Sequence, residues 1–556
     1  MDFSLSRLFL KIFTQEEKIK LAGFNFLNFI FNALDIGFLG ILLWIINFYA
    51  NPKSISFQIP FIDQSSNPHS LNLLGIFLVL FISKNILGYY LTLKRDQFFF
   101  TISTRISEQN LSQYLHQDYS SYVMEDSSIQ IRRINHEPIE FITYILMNIQ
   151  EVITQSLTIF FTLIGIILYK PFLFLGLFVL LLPPLILVNY ISRKKLHDLR
   201  KGIKLFSEKS IQTLREALDS FIVSNIDGKK MFFKNRYLPF QKELNGFIAL
   251  QQSLQGLPIR FLEIFAVFGY FILQWIFSWA KSTAANPILD TGILLTASYK
   301  IIPGIVRIMN SSSQIKTYQF TIEDLSKQNF GKPEDEVISK SHLESIELRD
   351  LDFQYGNQII LKKLSFTLES GNFLVITGRS GTGKTTLINL ILGFLNPEKG
   401  HILFNQVITQ SETRKRFWPQ IAYIKQEPFI IQDTLEKNII LSEKKTDPFR
   451  LKKIIEFCEL QDFIQKLDQG LETLIMENGK NLSGGQKQRI MLARALYRDF
   501  DLLILDEALS EIDEESSRII LNNLKTLCLG GKMILFITHN PKHFDFGHKF
   551  MKLNDQ

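Results

Sequence analysis

Six stretches of mostly apolar residues mark the first part of the chain, near Phe24–Tyr49, Leu71–Leu93, Phe141–Tyr169, Pro171–Ile191, Leu257–Ala280 and Pro287–Met309. Each is long enough to cross about 30 Å of hydrocarbon as a helix, so the pattern predicts six transmembrane helices. The connections between them alternate in character. Those joining spans one and two, three and four, and five and six hold few basic residues, chiefly Lys53, Lys170 and Lys281. Thr92–Glu140 and Ser192–Gly256 are long and carry many, among them Arg193, Lys194, Lys195, Arg200, Lys201 and Lys204. Lys and Arg collect on the cytoplasmic side of a membrane, so both termini are expected there, in a cytoplasmic (inner) membrane. Leu, Ile and Phe recur at helical spacing through both long connections, which predicts helices continuing beyond the bilayer. Met1–Gly23 is spaced as an amphipathic helix and lacks a compact apolar core with a cleavage site, so it is expected to lie in the interface rather than to be removed.

Polar positions inside the spans fall on stripes. Asn25, Asn28, Asn32 and Asp35 share one helical face, as do Asn148, Glu151, Gln155, Thr158 and Thr162 of the third span and Lys300, Arg307, Ser311 and Gln314 of the sixth. A charged group at mid-membrane costs about 2.5–3.5 kcal/mol on insertion scales, so these residues should face a cavity or a partner. Helix–helix hydrogen bonding accounts equally well for the Asn and Thr residues. Lys300 and Arg307 have no acidic neighbour in their own span, and a wet cavity is expected around them. Arg260 has Glu263 one turn away and can pair with it.

Beyond a polar linker near Ser326–Ser341 the pattern changes to that of a soluble α/β domain. Phe373–Thr377 is a short apolar run ending at Gly378, where the sequence GRSGTGKT matches G-x-x-x-x-G-K-[S/T] through Thr385. The glycines Gly378, Gly381 and Gly383 let backbone N–H groups turn toward phosphate oxygens, and a helix beginning near Lys384 adds its N-terminal dipole. Arg379, Ser380, Thr382 and Thr386 complete this nucleotide-binding segment. Lys384 is expected on the β- and γ-phosphates and Thr385 on Mg²⁺. A second apolar run, Leu502–Leu505, delivers Asp506 to organise the metal and Glu507 to polarise the attacking water.

The order of these motifs resembles that of the nucleotide-binding domain of ABC transporters, over nearly all of residues 342–550. The resemblance implies that Tyr355 stacks on adenine and that Gln426 touches Mg²⁺ and water. It further implies that Ser483, Gly484, Gly485 and Gln486, within LSGGQ at Leu482–Gln486, bind the γ-phosphate of ATP held by an opposite subunit. Asp513 matches the D-loop and His539 the switch histidine. Catalysis would thus rest on Glu507, His539 and Gln426, with Thr385, Gln426 and Asp506 at the metal. A site completed by a second copy implies a homodimer with two equivalent ATP sites. Thr473–Gly479 reads TLIMENG, with Met476 where this family often has Gly, and the D-loop reads ALSEID with Asp513 in place. The expected organisation is a membrane all-α domain at 1–325, a linker at 326–341 and an α/β P-loop ATPase domain at 342–556, without a C-terminal regulatory domain.

Six spans ahead of one ATPase domain resemble the exporters of this family. The membrane half is most similar to lipid-linked oligosaccharide flippases of the PglK type, on PIRFLE at Pro258–Glu263, KIIPGIVR at Lys300–Arg307 and RRINHE at Arg132–Glu137. That similarity implies a pyrophosphate-linked lipid cargo held by Arg260, Lys300, Arg307 and Lys84. A multidrug, lipid or peptide exporter is the competing expectation, and an ATP-gated regulator that transports nothing is the third. Gln117–Met124 and Ser224–Lys229 are the expected seats of the short helices that couple such a membrane domain to its ATPase.

Charge and cysteine content alter this picture little. The net charge of +7 sits largely in loops beside apolar segments and is read as topology rather than as a nucleic-acid surface. Cys458 and Cys528 are the only cysteines, without metal-ligand spacing, which fits a reducing compartment.

Overall fold

The computed structural model describes residues 9, 11–50, 72–169, 199, 201–279, 287–326, 341–379, 381–442 and 446–553. The expected fourth span Pro171–Ile191, nearly all of the linker, and Ser380 lie outside the described residues. The chain forms two units, one of Met1–Gln117 with Tyr122–Pro333 and the other of Asp118–Ser121 with Glu334–Gln556.

The described part of the first unit is helical. Five long helices coincide with five of the expected spans: α1 (Gln15–Ala50), α2 (Asn72–Leu115), α3 (Met147–Tyr169), α4 (Lys230–Trp279) and α5 (Pro287–Thr317). Gln15–Leu42, Leu74–Leu115 and Ser127–Ile167 are the described stretches long and apolar enough to cross a membrane. With 44 residues, α2 is about 66 Å long, roughly twice the hydrocarbon thickness, because no Pro or Gly interrupts it beyond Gly88. The helical path into α3 opens into π turns at Arg132–His136 and Phe141–Leu146.

The N-terminal expectation needs correction. Instead of a separate interfacial helix reaching Gly23, Gln15–Gly23 is the first part of α1 itself. Thr14 begins it with a reciprocal cap: its N–H donates to the Glu17 carboxylate at 2.9 Å and its Oγ1 accepts the Glu17 N–H at 3.3 Å. With the cap there and no Pro before Phe24, helix propagates through Gly23 straight into the span. Arg105 of α2 holds this corner through Glu17, at 2.7 and 2.9 Å, and the Ile12 carbonyl. Its core brings Phe99, Ile102 and Ile106 of α2 against Phe141, Ile142, Ile145, Phe320 and Ile322. By contrast Leu78, Val79 and Ile86 are more than half exposed, the surface a bilayer would cover.

Two sheets build the second unit. Strands β1 (Ser345–Tyr355), β2 (Gln358–Glu369), β4 (Lys399–Phe404) and β5 (Val407–Ile408) form an antiparallel sheet in the order β2-β1-β4-β5. Strands β3 (Phe373–Thr377), β6 (Ile421–Ile424), β7 (Leu502–Asp506), β8 (Met533–Ile537) and β9 (Lys549–Lys552) form a parallel sheet in the order β6-β7-β8-β3-β9. Every residue of β3, β7 and β8 is buried, which is why these strands read as unbroken apolar runs rather than alternating ones. Helices α6 (Lys384–Ile391), α7 (Gly484–Tyr497) and α8 (Glu514–Leu529) pack against the sheets. The carboxyl ends of β3 and β7, where ligands of parallel sheets bind, carry Gly378 and Asp506.

Candidate functional site

The chain leaving β3 folds back on itself: the Thr382 N–H and hydroxyl both reach the Arg379 carbonyl, at 3.3 and 2.9 Å. Gly381 and Gly383 have φ of 87° and 88°, in the left-handed region that glycine alone enters without penalty. A Cβ on Gly383 would stand 2.6 Å from Ile360 Cγ2, and one on Gly378 would stand 2.5 Å from Thr382 Oγ1. Gly383→Ala therefore carries a left-handed cost of about 1–2 kcal/mol plus a steric clash, relieved only by reshaping the loop. Equilibrium titration with a fluorescent ATP analogue should show roughly tenfold weaker binding.

Glu507 is the meeting point of the residues singled out in the sequence. It follows the last residue of β7 with φ 51°, its N–H donating to the Ile537 carbonyl at 3.0 Å. Its Oε1 accepts from Lys384 Nζ at 2.9 Å and lies 3.5 Å from His539 Nδ1, and its Oε2 accepts from Gln426 Nε2 at 3.0 Å. Lys384 Nζ also donates to the Gly378 carbonyl at 3.0 Å. A non-glycine residue held at positive φ stores strain of order 1–3 kcal/mol, and here it aims a carboxylate at three functional side chains. Burial opposes the Glu507 charge, but the Lys384 hydrogen bond and charge, with His539, more than offset it and hold the carboxyl below its ordinary range. Asp506 is 3% exposed, and burial, reinforced by Glu507, pushes its carboxyl up to about 6 against Lys384 and Lys425.

These residues fit a magnesium nucleotide. The loop glycines bring the backbone close to the start of α6, and Lys384 supplies a cation at that point. Thr385, Asp506 and Gln426 offer the hard oxygen donors that Mg²⁺ takes. Among the described residues no group of three His, Cys, Asp or Glu could hold a metal by itself. A divalent cation would also favour the Asp506 charge that burial opposes.

The signature residues form a second assembly. Ser483 caps α7 through a capping box, its N–H donating to Gln486 Oε1 at 2.9 Å and its Oγ accepting the Gln486 N–H at 3.3 Å. Gly484 and Gly485 let the Glu511 segment approach: a Cβ on Gly485 would lie 2.7 Å from the Glu511 carbonyl oxygen. Gln488 joins the same segment by accepting the Glu511 N–H and donating to Ser510 Oγ. Asp513 caps α8 by accepting from the Ser516 N–H at 2.9 Å, a bond that keeps its carboxyl low. None of these bonds reaches Lys384, Gln426 or Glu507, so one copy groups the sequence-predicted residues into two sets. Tyr355 ends β1, half exposed, with its ring edge-on to Phe353 at 4.9 Å.

One feature of this unit escaped sequence reasoning. His543 lies buried beneath the switch segment, where a lone histidine in a polar turn gave no signal. Asp118–Ser121, at the tip of one expected coupling segment, belongs to the second unit: the Tyr119 ring lies 5.0 Å from Phe394 and its hydroxyl accepts from Asn389 Nδ2 at 3.2 Å. The other expected segment, Ser224–Lys229, begins inside a short helix, Phe221–Ile226, whose Phe221, Ile222 and Ile226 are strongly exposed.

In the first unit the polar stripes find partners on neighbouring helices. Asn28 Nδ2 donates to Thr154 Oγ1 at 2.6 Å, and the Thr158 hydroxyl donates to Asn32 Oδ1. Lys84 of α2 is ion-paired with Asp35 of α1, beside a cavity of about 280 Å³ lined also by Asn28, Asn32, Asn85 and Thr92. Arg307 of α5, expected to stand without an acidic partner, lies 3.5 Å from Glu151 of α3, its side chain 62% exposed. Arg260 is exposed on α4, and the side chains of Lys300 and Glu263 lie outside the described residues. Among the described candidate cations only Lys84 lines this cavity: Lys84 turns to α1 and Arg307 to α3.

Residues 361–510 match the family model of the ABC transporters. Over 480 residues the chain is 26% identical to an ATP-dependent lipid A-core flippase of Paraburkholderia xenovorans, spanning 84% of this chain and 78% of that protein. A putative export ATP-binding/permease protein of Rickettsia prowazekii is 39% identical over 210 residues, 36% of each chain. A solved bacterial Atm1-family ABC exporter with ATP bound shares the fold, with a TM-score of 0.73 over 97% of this chain and 93% of that one at 15% identity. Helical unit and ATPase unit stand in one polypeptide: residues 361–510 are an ABC transporter domain, and over most of its length the chain is similar to ATP-dependent exporters and flippases that carry one.

Proposed function

We propose that the protein acts as a homodimer in the cytoplasmic membrane, both termini cytoplasmic, moving a lipid-linked oligosaccharide or a similar amphipathic lipid outward. Its membrane domain would cover 1–325 and its ATPase domain 342–556. The observation that carries the cargo reading is the retention of charge inside the spans, at Asp35–Lys84 beside a polar cavity and at Glu151–Arg307. Such charges are costly in a bilayer and are kept where a polar group passes. Relatives named ATP-dependent lipid A-core flippase support a lipid as the class of cargo.

ATP supplies phosphates for Lys384 to hold in place of Glu507, and Thr385, Asp506 and Gln426 would take Mg²⁺. Glu507, released from Lys384, would polarise a water, with His539 beside it. Ser483–Gln486 of a second copy would close over the γ-phosphate. The exposed apolar helix Phe221–Ile226 offers a seat for a partner domain.

The test is lipid-stimulated ATP hydrolysis in liposomes containing fluorescent candidate lipids. The double variant Lys300→Ala with Arg307→Ala should lose on the order of tenfold or more of the stimulation, since each charge-assisted bond is worth about 1.5–3 kcal/mol. Undiminished stimulation would remove these residues from the cargo path. A drug or peptide exporter, favoured by the 50 phenylalanines, would instead show stimulation by apolar cations or peptides and none by pyrophosphate lipids.

A further inference from the structure

Four residues past His539 a second histidine is enclosed by polar partners. His543 is 7% exposed within the 3₁₀ turn Pro541–Phe546, its ring 5.6 Å from that of Phe536. Its Nδ1 lies 3.1 Å from Thr538 Oγ1, and its Nε2 lies 3.3 Å from both Ser517 Oγ and Asn540 Nδ2. The Asn540 amide determines which ring nitrogen carries the proton. Asn540 Oδ1 accepts the Lys542 N–H at 3.1 Å, which turns Nδ2, a pure donor, toward the ring. Nε2 must then accept, so Nδ1 bears the hydrogen and donates to Thr538 Oγ1.

Thr538 and Asn540 are the two residues flanking His539. Ser517 lies in the first turns of α8, the helix that Asp513 caps, and Lys542 pairs with Glu514 of the same helix at 2.7 Å. The turn is therefore fastened to the start of α8 twice, once by charge and once through the imidazole.

We propose that His543 is a positioning residue for His539: as a neutral imidazole protonated on Nδ1, it ties both neighbours of His539 to the first turns of α8. The reach of His539 to Glu507 then follows the placement of Asp513. Charged neighbours around the ring are Glu514 on α8, His539 on the switch segment, and Lys542 and Asp545 within the turn. Burial, with His539, outweighs Glu514 and holds the imidazole below the ordinary histidine value, so the neutral form prevails at neutral pH. A proton added at Nε2 would face the Asn540 N–H and leave Ser517 Oγ as the acceptor. Because the folded-state pKa is depressed, this fastening is complete above about 6.5 and weakens as pH falls below it.

The experiment measures kcat and KM for ATP, with nucleotide binding in parallel, on the full-length protein in nanodiscs from pH 5.5 to 8. His543→Phe fills the site without hydrogen bonds and should lower kcat about tenfold, with KM changed less than about twofold because the phosphate loop is untouched. His543→Gln carries an amide oxygen that can replace Nε2 as acceptor and does not titrate. It should recover kcat to within about threefold and lose less activity than the native protein as pH falls from about 6.5 to 5.5. A native rate for His543→Phe would overturn the proposal. So would a His543→Gln protein as slow as His543→Phe, or one with the native pH profile. Should His543→Phe fail to fold, the pH profile of His543→Gln decides alone.

Discussion

Glu507→Gln should leave the transporter able to bind ATP while lowering its turnover by about 10³-fold, within the range for loss of a positioned general base. The carboxylate accepts from Lys384 and Gln426 and lies beside His539, and a neutral amide of the same size keeps the volume but cannot take a proton from water. It also releases Lys384 from an ion pair that competes with phosphate, so ATP affinity should hold or rise. Single-turnover hydrolysis with parallel nucleotide binding separates the two effects. An unchanged rate would remove Glu507 from the chemistry, and lost binding would make the Lys384–Glu507 pair a support of the phosphate loop.

Two inactive proteins, Lys384→Ala and Ser483→Arg, should recover hydrolysis when co-expressed. Within one copy the phosphate-loop set and the signature set bond to separate partners, Lys384 to Glu507 and Ser483 to Gln486. If a site combines the loop of one chain with the signature of the other, each homodimer is dead and each mixed dimer keeps one complete site. Random pairing then gives about a quarter of native activity, provided the sites of a symmetric dimer act independently. The Ser483 change also removes a helix cap worth about 1 kcal/mol, which thermal melting should register without loss of the fold. Absence of recovery in dimers shown to be mixed would sink the two-chain site.

The nucleotide unit was legible because its signals are local. Phe373–Thr377 and Leu502–Asp506 are buried on both faces, so each reads as a short apolar run, and glycines at fixed offsets mark the turn between strand and helix. The long helices were legible for a similar reason, since apolar runs and the lack of breakers act on nearest neighbours. The start of α1 was not, because one cap at Thr14 outweighs the amphipathic pattern upstream of it.

By itself, then, the sequence determined that helices cross a membrane, that a phosphate loop follows them, and which residue types stand ready for a magnesium nucleotide. Tertiary structure decided who meets whom. Arg307 has no acid within two turns of it in its own span and finds Glu151 on another helix, Lys84 finds Asp35, and His543 closes on Ser517 from the far end of the switch turn. Periodicity places a side chain on a face of its own helix or strand, whereas the partner across that face depends on how whole elements cross and pack. Glu507 shows both sides: its place after an apolar strand was readable, but its positive φ and its hold on Lys384, Gln426 and His539 exist only where β7, β8 and the phosphate loop converge.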